Sequence, residues 1–582
     1  MRRAPFVFLA TALFARAEGI GAQGDINAGR AIAESSAVRR NAERAARSFE
    51  QQRLRLIPNV PSSPSDVGDV IIGRYRYSAG EADDLTPPPA EPPAIGEARR
   101  ELLRTLDSAS RRMPGDEWIR SRFVWYSIEA GDTTAAIAAA RACRDEEIPW
   151  WCDALLGLTM HVAHDFVGAE QAFDRALAAM PDSTRCRWID VTSLVDGDVE
   201  RLLKRMPCER RGALNERLWW LADPLHAVEG NELRSEHFAR HTFGVLHDRW
   251  RASHPLGWGN DMREIVLRYA WPVAWSRDRF RERSPSQPGL WMALTGHEPR
   301  PAYDFLPDAD ALNSPVDVTD ESWDLKRPRA STHYAHPYAA PMRPLRHQMA
   351  RFIRGGGDSL LIVGAWDASD DTLFMRGSKR VALIASTNDG RVRFAQGSDS
   401  ATTRGALTLL VPQADYLSSL ELFAKAYHAA ARTRRGIRSL RLTSGVALSD
   451  ILLLEPGAHP RTFEEALPRI LTDGALGRDR RLTLYWEVYR VDGIEVPRVT
   501  ISVSRVRASR VRRLAEKLRL RDEPQTVEME WETDTPAAQR SSGSVTLDLS
   551  DRPAGTWRVS VAVTGAHGEG ATAFRDIVIR SP

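Results

Sequence analysis

A chain of 582 residues, 43% of them hydrophobic and with 17 Trp and 17 Phe, is long enough for several domains and rich enough for true cores, which excludes a disordered chain. Its 80 basic and 77 acidic residues nearly cancel, and no basic run carries interleaved aromatics, which argues against a dedicated nucleic-acid binder. The two basic clusters, Arg432 to Arg435 and Arg505 to Arg513, are read as solvated surface.

Arg2 and Arg3, the apolar run Phe6 to Ala15 and the small-x-small pattern Ala15-Arg16-Ala17 have the anatomy of a secretory signal peptide, with a second cleavage candidate at Ala22. Residues 1–22 are therefore expected to direct export, periplasmic or extracellular. No later segment is apolar for long enough to cross a membrane. An even, clustered set of four cysteines, Cys143, Cys152, Cys186 and Cys208, fits disulfides in that compartment. Of the three possible pairings, Cys143 with Cys152 and Cys186 with Cys208 is expected, because neighbours in a helical array come close. A zinc site is the alternative, and no paired CxxC spacing supports it.

Residues 23–94 combine a helix over 25–55, a short β-like run at Val70 to Tyr77, and the proline cluster Thr86 to Pro93, an extended spacer. Residues 95–235 have a helical pattern. Within it Gly157, Ala169, Phe173, Ala176 and Pro181 have the spacing of a tetratricopeptide repeat: small residues let two helices approach, Phe173 fills the gap, and Pro181 ends the second helix. One repeat length earlier, Gly131 to Ile137 matches the inter-helix turn of a weaker copy, in which Cys143 takes the place of Ala176. A third unit starts near Arg187-Trp188, with Gly197-Asp198 at its turn. Such arrays present a concave face to another polypeptide; Trp150, Trp151, Trp219 and Trp220 either line it or form core, with core the plainer reading.

Phe238 to Trp250 reads as a helix. It leads through His254-Pro255 into Gly257-Trp258-Gly259-Asn260-Asp261, after which Ile265, Leu267 and Tyr269 alternate with Glu264, Val266 and Arg268 as a strand with one buried face, stopped by Pro272. From Phe238 to Pro272 the chain resembles the GWxTD family of exported bacterial proteins. Gly257, Trp258 and Asp261 match the family's pentapeptide, with Asn260 where it has threonine. Arg263, Arg268, Tyr269 and Pro272 fit the following segment, and Ala270 stands for the usual glycine. The resemblance implies architecture and location, with no established activity. Read physically, Trp258 plugs a seam, Asn260 or Asp261 caps a turn, and Asp261 pairs with Arg263 or Arg268.

Residues 236–342 close with a long irregular connection from 276 onward, in which Trp323, Tyr334 and Tyr338 pack on neighbours. Two β-domains follow, 343–475 and 476–582. Asn388-Asp389-Gly390 marks a hairpin, Leu417 to Ala431 a strand followed by a short helix, and Pro553 to Trp557 the closing hairpin of an immunoglobulin-like sandwich. The expected class is thus multidomain α + β: a tetratricopeptide-like helical array, a central mixed α/β segment resembling GWxTD proteins, and tandem antiparallel β-sandwiches.

No HExxH, GxSxG, P-loop or CxxC is present. His237 and His241, four apart on a helix, are the best metal candidates, but they lack a catalytic glutamate between them; no cofactor is expected. The leading expectation is an exported, non-enzymatic binding or assembly protein engaging an envelope protein or glycan. The alternative is an envelope hydrolase acting on peptide or glycan near the GW segment, with Asp261, His254 and His333 as its groups.

Overall fold

The computed structural model describes residues 17–59, 70–72, 75–78, 89–249 (without 146 and 196), 258–278, 293–297, 303–325 (without 324), 342–490 (without 391 and 441–444), 498–506, 529–531, 540–564 and 570–581. Arg2 to Ala15, Gly257, His254, His333, Tyr334, Tyr338 and most of the Arg505 to Arg513 cluster lie outside the described residues. The chain divides into two compact units, each discontinuous in sequence: residues 1–196, 230–300 and 328–334 form the first, and 197–229, 301–327 and 335–582 the second.

The first unit is helical: α1 (Ala17–Leu56), α2 (Pro93–Arg112), α3 (Glu117–Glu129), α4 (Thr133–Arg141), α5 (Pro149–Val162), α6 (Phe166–Ala179) and α7 (Asp182–Trp188). Asp116, Asp132 and Asp165 each accept a bond from a first-turn amide of α3, α4 and α6, so short turns end one helix and cap the next. In the α5–α6 hairpin Gly157 faces Phe173; a Cβ at Gly157 would lie 2.6 Å from the Phe173 ring, so glycine is what lets these helices close. Ala169, Phe173 and Ala176 are fully buried, and Pro181 follows the end of α6. Trp150 and Trp151 are core rather than groove. Cys143 is bonded to Cys152 across a Cα–Cα distance of 5.5 Å, and among the described residues no cysteine is free. No helix among the described residues is long and apolar enough to cross a membrane.

The helices α8 (Gly197–Arg205) and α9 (Cys208–Ala222) belong to the second unit, so the helical stretch 95–235 is divided between the two. The chain returns to the first unit in α10 (Glu232–Asp248) and α11 (Asn260–Tyr269). Here the expected strand is a helix. Met262, Ile265, Val266 and Tyr269 are its buried residues, a 3–4 spacing, while Leu267 is half-buried; in so short a window both periods fit part of the apolar set. The strands lie on either side of it in sequence: β1 (Val70–Ile72) and β2 (Tyr75–Ser78) join β3 (Ala274–Asp278) and β4 (Ala293–His297) in a sheet of order β1-β2-β4-β3. Met262, Ile265 and Tyr269 pack with Ile72 and Trp275 of that sheet. The segment after 276 is accordingly not wholly irregular.

The second unit holds two sandwiches. In the first, strands Arg346–Arg354, Ser359–Asp367 and Arg404–Pro412 face a five-stranded sheet centred on Lys379–Thr387, Tyr416–Ala424 and Ala429–Ile437, with Leu360, Ile362, Leu383 and Leu420 between them. The expected helix after Leu417 is instead a single 3-10 turn, Lys425–Tyr427, that joins two paired strands. Asn388 to Gly390 does turn a hairpin, from Lys379–Thr387 into Arg393–Ser400. The second sandwich takes Val446–Leu448 and Leu452–Leu454 as partners of Arg481–Arg490, so its strands begin before the expected boundary at 475.

Strand Arg481–Arg490 explains its own unbroken apolar run. Leu482, Leu484, Trp486 and Val488 fill the second sandwich, while Tyr485 enters a further core with Phe352 and Leu452, against the first sandwich. A strand covered on both faces has no solvent side to alternate with. Glu487 is buried among these residues, held by Arg354 at 2.7 Å and by the hydroxyls of Tyr489 (2.7 Å) and Tyr485 (3.1 Å).

The arginine cluster at 432–435 is a second departure. Arg434 is buried and pairs at 3.3 Å with buried Glu421; it also donates to the carbonyls of Leu221 (2.8 Å) and Asp223 (2.7 Å) at the end of α9. Arg432 donates to the Asp223 and Pro224 carbonyls. Only Arg435 is exposed. The cluster caps a helix C-terminus, where the open carbonyls and the helix dipole both favour a cation.

Candidate functional site

The GW segment is a joint. Trp258 donates from its indole to Asp248 (2.8 Å) and sets its ring 4.8 Å from His247, tying α10 to the start of α11. Arg263 pairs with Asp248 and donates to the Asn260 side chain at 3.1 Å, and Arg268 pairs with Glu264. Asp261 therefore takes neither expected arginine: each has a partner of its own. Asp261 sits half-buried in the first turn of α11.

Ala270 ends α11 at φ 65°, ψ −178°, a region that is essentially glycine's, and the backbone is held there from outside: Arg240 donates to the carbonyls of Leu267 (3.0 Å) and Arg268 (2.8 Å). Ala270→Gly is expected to raise the stability of the first unit by about 1 kcal/mol, measured by urea unfolding. An unchanged or lowered midpoint would show that the conformation is unstrained.

Behind this joint lies a cavity of about 520 Å³ in the first unit. The end of α1, the linker at Pro89 to Pro92, the ends of α3 and α5, one face of α10 and residues 270–275 wall it. An aromatic series runs along it: Trp125 stands 4.4 Å from Phe243, Phe243 4.9 Å from Trp271, and Trp271 5.6 Å from Trp275. The polar wall is made of ion pairs. Arg53 meets Glu129 at 2.7 Å, and Arg99 bridges Glu91 (3.0 Å) and Glu129 (3.4 Å). Glu236 joins Arg240 (2.6 Å) to His161 (2.7 Å). Burial disfavours the Glu236 carboxylate, but Arg240 and His161 outweigh it and hold the group at about 2.

His161 also places Nδ1 2.9 Å from Ser235 Oγ, so serine, histidine and glutamate touch in series. The series is not built for nucleophilic attack. Ser235 is fully buried, donates its hydroxyl proton to the Glu232 carbonyl (3.0 Å), and is not part of the cavity wall. An activated serine must give that proton to the histidine and meet a substrate. Here the hydroxyl and the carboxylate orient an imidazole within the wall.

His237 and His241 are equally committed to packing. His237 Nε2 lies 2.8 Å from the Trp188 carbonyl, an acceptor that requires the ring N–H, and His241 lies against Trp188. Burial, more than any neighbour, depresses His237 to about 4 and His241 well below its ordinary value. Among the described residues no group of three His, Cys, Asp or Glu side chains stands close enough to hold a metal.

Sequence reasoning placed the motif but missed the cavity. Among the described residues its walls come from six separate stretches, and the local mark on two of them is a single polar residue, His161 or Glu236, on a helix.

No family model matches the chain, and no curated protein matches it. Among solved structures, the FN1–FN3 domains of chicken CNTN1 align with 43% of this chain and 71% of that one at 11% identity, with a TM-score of 0.14, too low to carry an argument.

Proposed function

We propose that the chain is an exported, non-enzymatic binding or assembly protein of the cell envelope that engages a protein or glycan partner. The helix hairpins are taken as tetratricopeptide-like, the C-terminal sandwich as immunoglobulin-like, and the central segment as a divergent relative of GWxTD proteins. The observation that carries the reading is the cavity in the first unit: it is aromatic-lined, and its arginines and glutamates are spent on one another rather than poised for chemistry. The disulfides fit an oxidising compartment.

The test is affinity purification with cross-linking from envelope fractions, using the full oxidised chain beside Ala239→Trp, which fills the cavity from a buried wall position. The wild type is expected to retain one reproducible partner, and the variant to recover at most about a tenth as much of it. Repeated recovery of no partner would overturn the reading.

A further inference from the structure

The second unit holds a cleft of about 470 Å³, walled by residues of strands Arg346–Arg354, Ala429–Ile437, Val446–Leu448 and Gly570–Ile579 and of the loops beside them. Arg351, Arg435, Ser439, Asp450 and Thr572 bring polar groups to its wall. Strand alternation turns Arg435 away from the face on which Arg434 meets α9, and Arg435 is exposed. The arginines around it are balanced. Arg351 meets Asp450, Arg354 meets Glu487, Arg438 meets Asp317 and Arg558 meets Asp576. Arg351 engages both oxygens of Asp450, Oδ1 from Nε at 3.2 Å and Oδ2 from its backbone amide at 3.1 Å. Arg435 has no carboxylate partner among the described residues.

A second guanidinium behind the wall is also short of negative charge. Arg575 follows the cleft residue Phe574 and donates to the carbonyls of Ile451 (2.9 Å) and Met349 (2.7 Å), which carry no net charge. Burial lowers its pKa to about 10; Asp450 opposes that shift and Arg435 adds to it. Arg435 and Arg575 are thus close enough to repel each other, and the nearby carboxylate is already taken by Arg351. The local field favours an anion, and a guanidinium fork matches two oxygens of one group.

We propose that this cleft binds an oxyanion, the carboxylate or phosphate group of a ligand. Arg435 is its guanidinium partner, and the hydroxyls of half-buried Ser439 and exposed Thr572 are donors for the remaining oxygens. Acidic sugars and phosphorylated groups share this chemistry. The site lies in the second unit and does not depend on the cavity of the first.

The test is calorimetric titration of the full oxidised chain with inorganic phosphate and, separately, with glucuronate. Ionic strength is held constant, because salt screens an exposed arginine. At least one of the two anions is expected to bind at a single site. Arg435→Gln removes the charge at an exposed position and should weaken that binding about tenfold or more, with the urea unfolding midpoint unchanged. Arg435→Lys restores the charge without the fork and should recover part of the loss. Arg481→Gln, at an exposed arginine elsewhere in the same unit, should leave binding unchanged. Binding of phosphate alone assigns the site to phosphate groups, and binding of glucuronate alone assigns it to carboxylates. Equal binding supports one oxyanion site open to both. The proposal is overturned if neither anion binds, if Arg435→Gln binds as tightly as the wild type, or if Arg481→Gln weakens binding as much as Arg435→Gln does.

Discussion

Arg434→Ala should destabilise the unit that carries the sandwiches by about 3–5 kcal/mol, the cost of leaving a buried charge without its counter-ion. Arg434 and Glu421 are 1% and 0% exposed at their side chains, so neither can turn to water once the other is gone. Burial opposes the Glu421 carboxylate, and Arg434, the Ser419 hydroxyl and the Ala227 amide together still hold its pKa below the usual value. Removing the guanidinium also uncovers the carbonyls of Leu221 and Asp223 at the end of α9. Urea unfolding followed by tryptophan fluorescence measures the loss. The double variant Arg434→Met with Glu421→Leu removes both charges and should recover part of it. A single-variant loss below about 1 kcal/mol, the range of an exposed pair, would contradict this account.

Acid should unfold the same unit earlier than its carboxylates alone predict. His226 is buried, with Nε2 2.9 Å from the Trp220 carbonyl; burial first, and Arg434 second, push its pKa from near 6.5 down to about 3. The folded state therefore refuses a proton that the unfolded chain accepts. Stability from this residue is full above pH 6.5 and is lost as pH falls from 6.5 towards 3, at about 1.4 kcal/mol per pH unit. By pH 5 the loss is about 2 kcal/mol, before most carboxylates titrate. His226→Gln keeps an N–H for the Trp220 carbonyl and cannot take the charge, so its stability should be nearly flat between pH 7 and 5. A wild-type curve as flat as the variant's would remove His226 from the explanation. In the first unit His237, held at about 4, adds the same sign, whereas the Glu236 contribution persists until pH falls below about 4.5 and is lost on approach to 2.

Helix hairpins were legible because their signal is local: Gly157, Ala169, Phe173 and Ala176 report a spacing that the hairpin itself imposes. The hairpin strands were legible for the same reason. The segment after Asp261 was not, because Ile265, Val266 and Tyr269 satisfy a helix while Ile265, Leu267 and Tyr269 satisfy a strand. What decides is the sheet they pack on, and two of its strands lie far upstream at 70–78. Arg434 was misread because a run of arginines looks alike whether it faces water or the carbonyls of a helix end. The cavity was invisible for a stronger reason: nothing local relates Arg53 to Glu129 or His161 to Glu236.

The pairing of Arg76 with Thr295 sets an order of events during synthesis. The hairpin Val70–Ser78 is too short to persist alone, and the strand that completes its sheet is translated only after every helix of the first unit. Residues 197–229, made in between, must meanwhile wait for strands still to come, because they belong to the second unit. Neither unit can finish while the ribosome is still in the first half of the message. The early α-hairpins form quickly from local contacts, but the closing contacts are long-range and late. The nascent chain thus passes through a long interval with its helices made and its small sheet still open, a natural window for a chaperone to hold it.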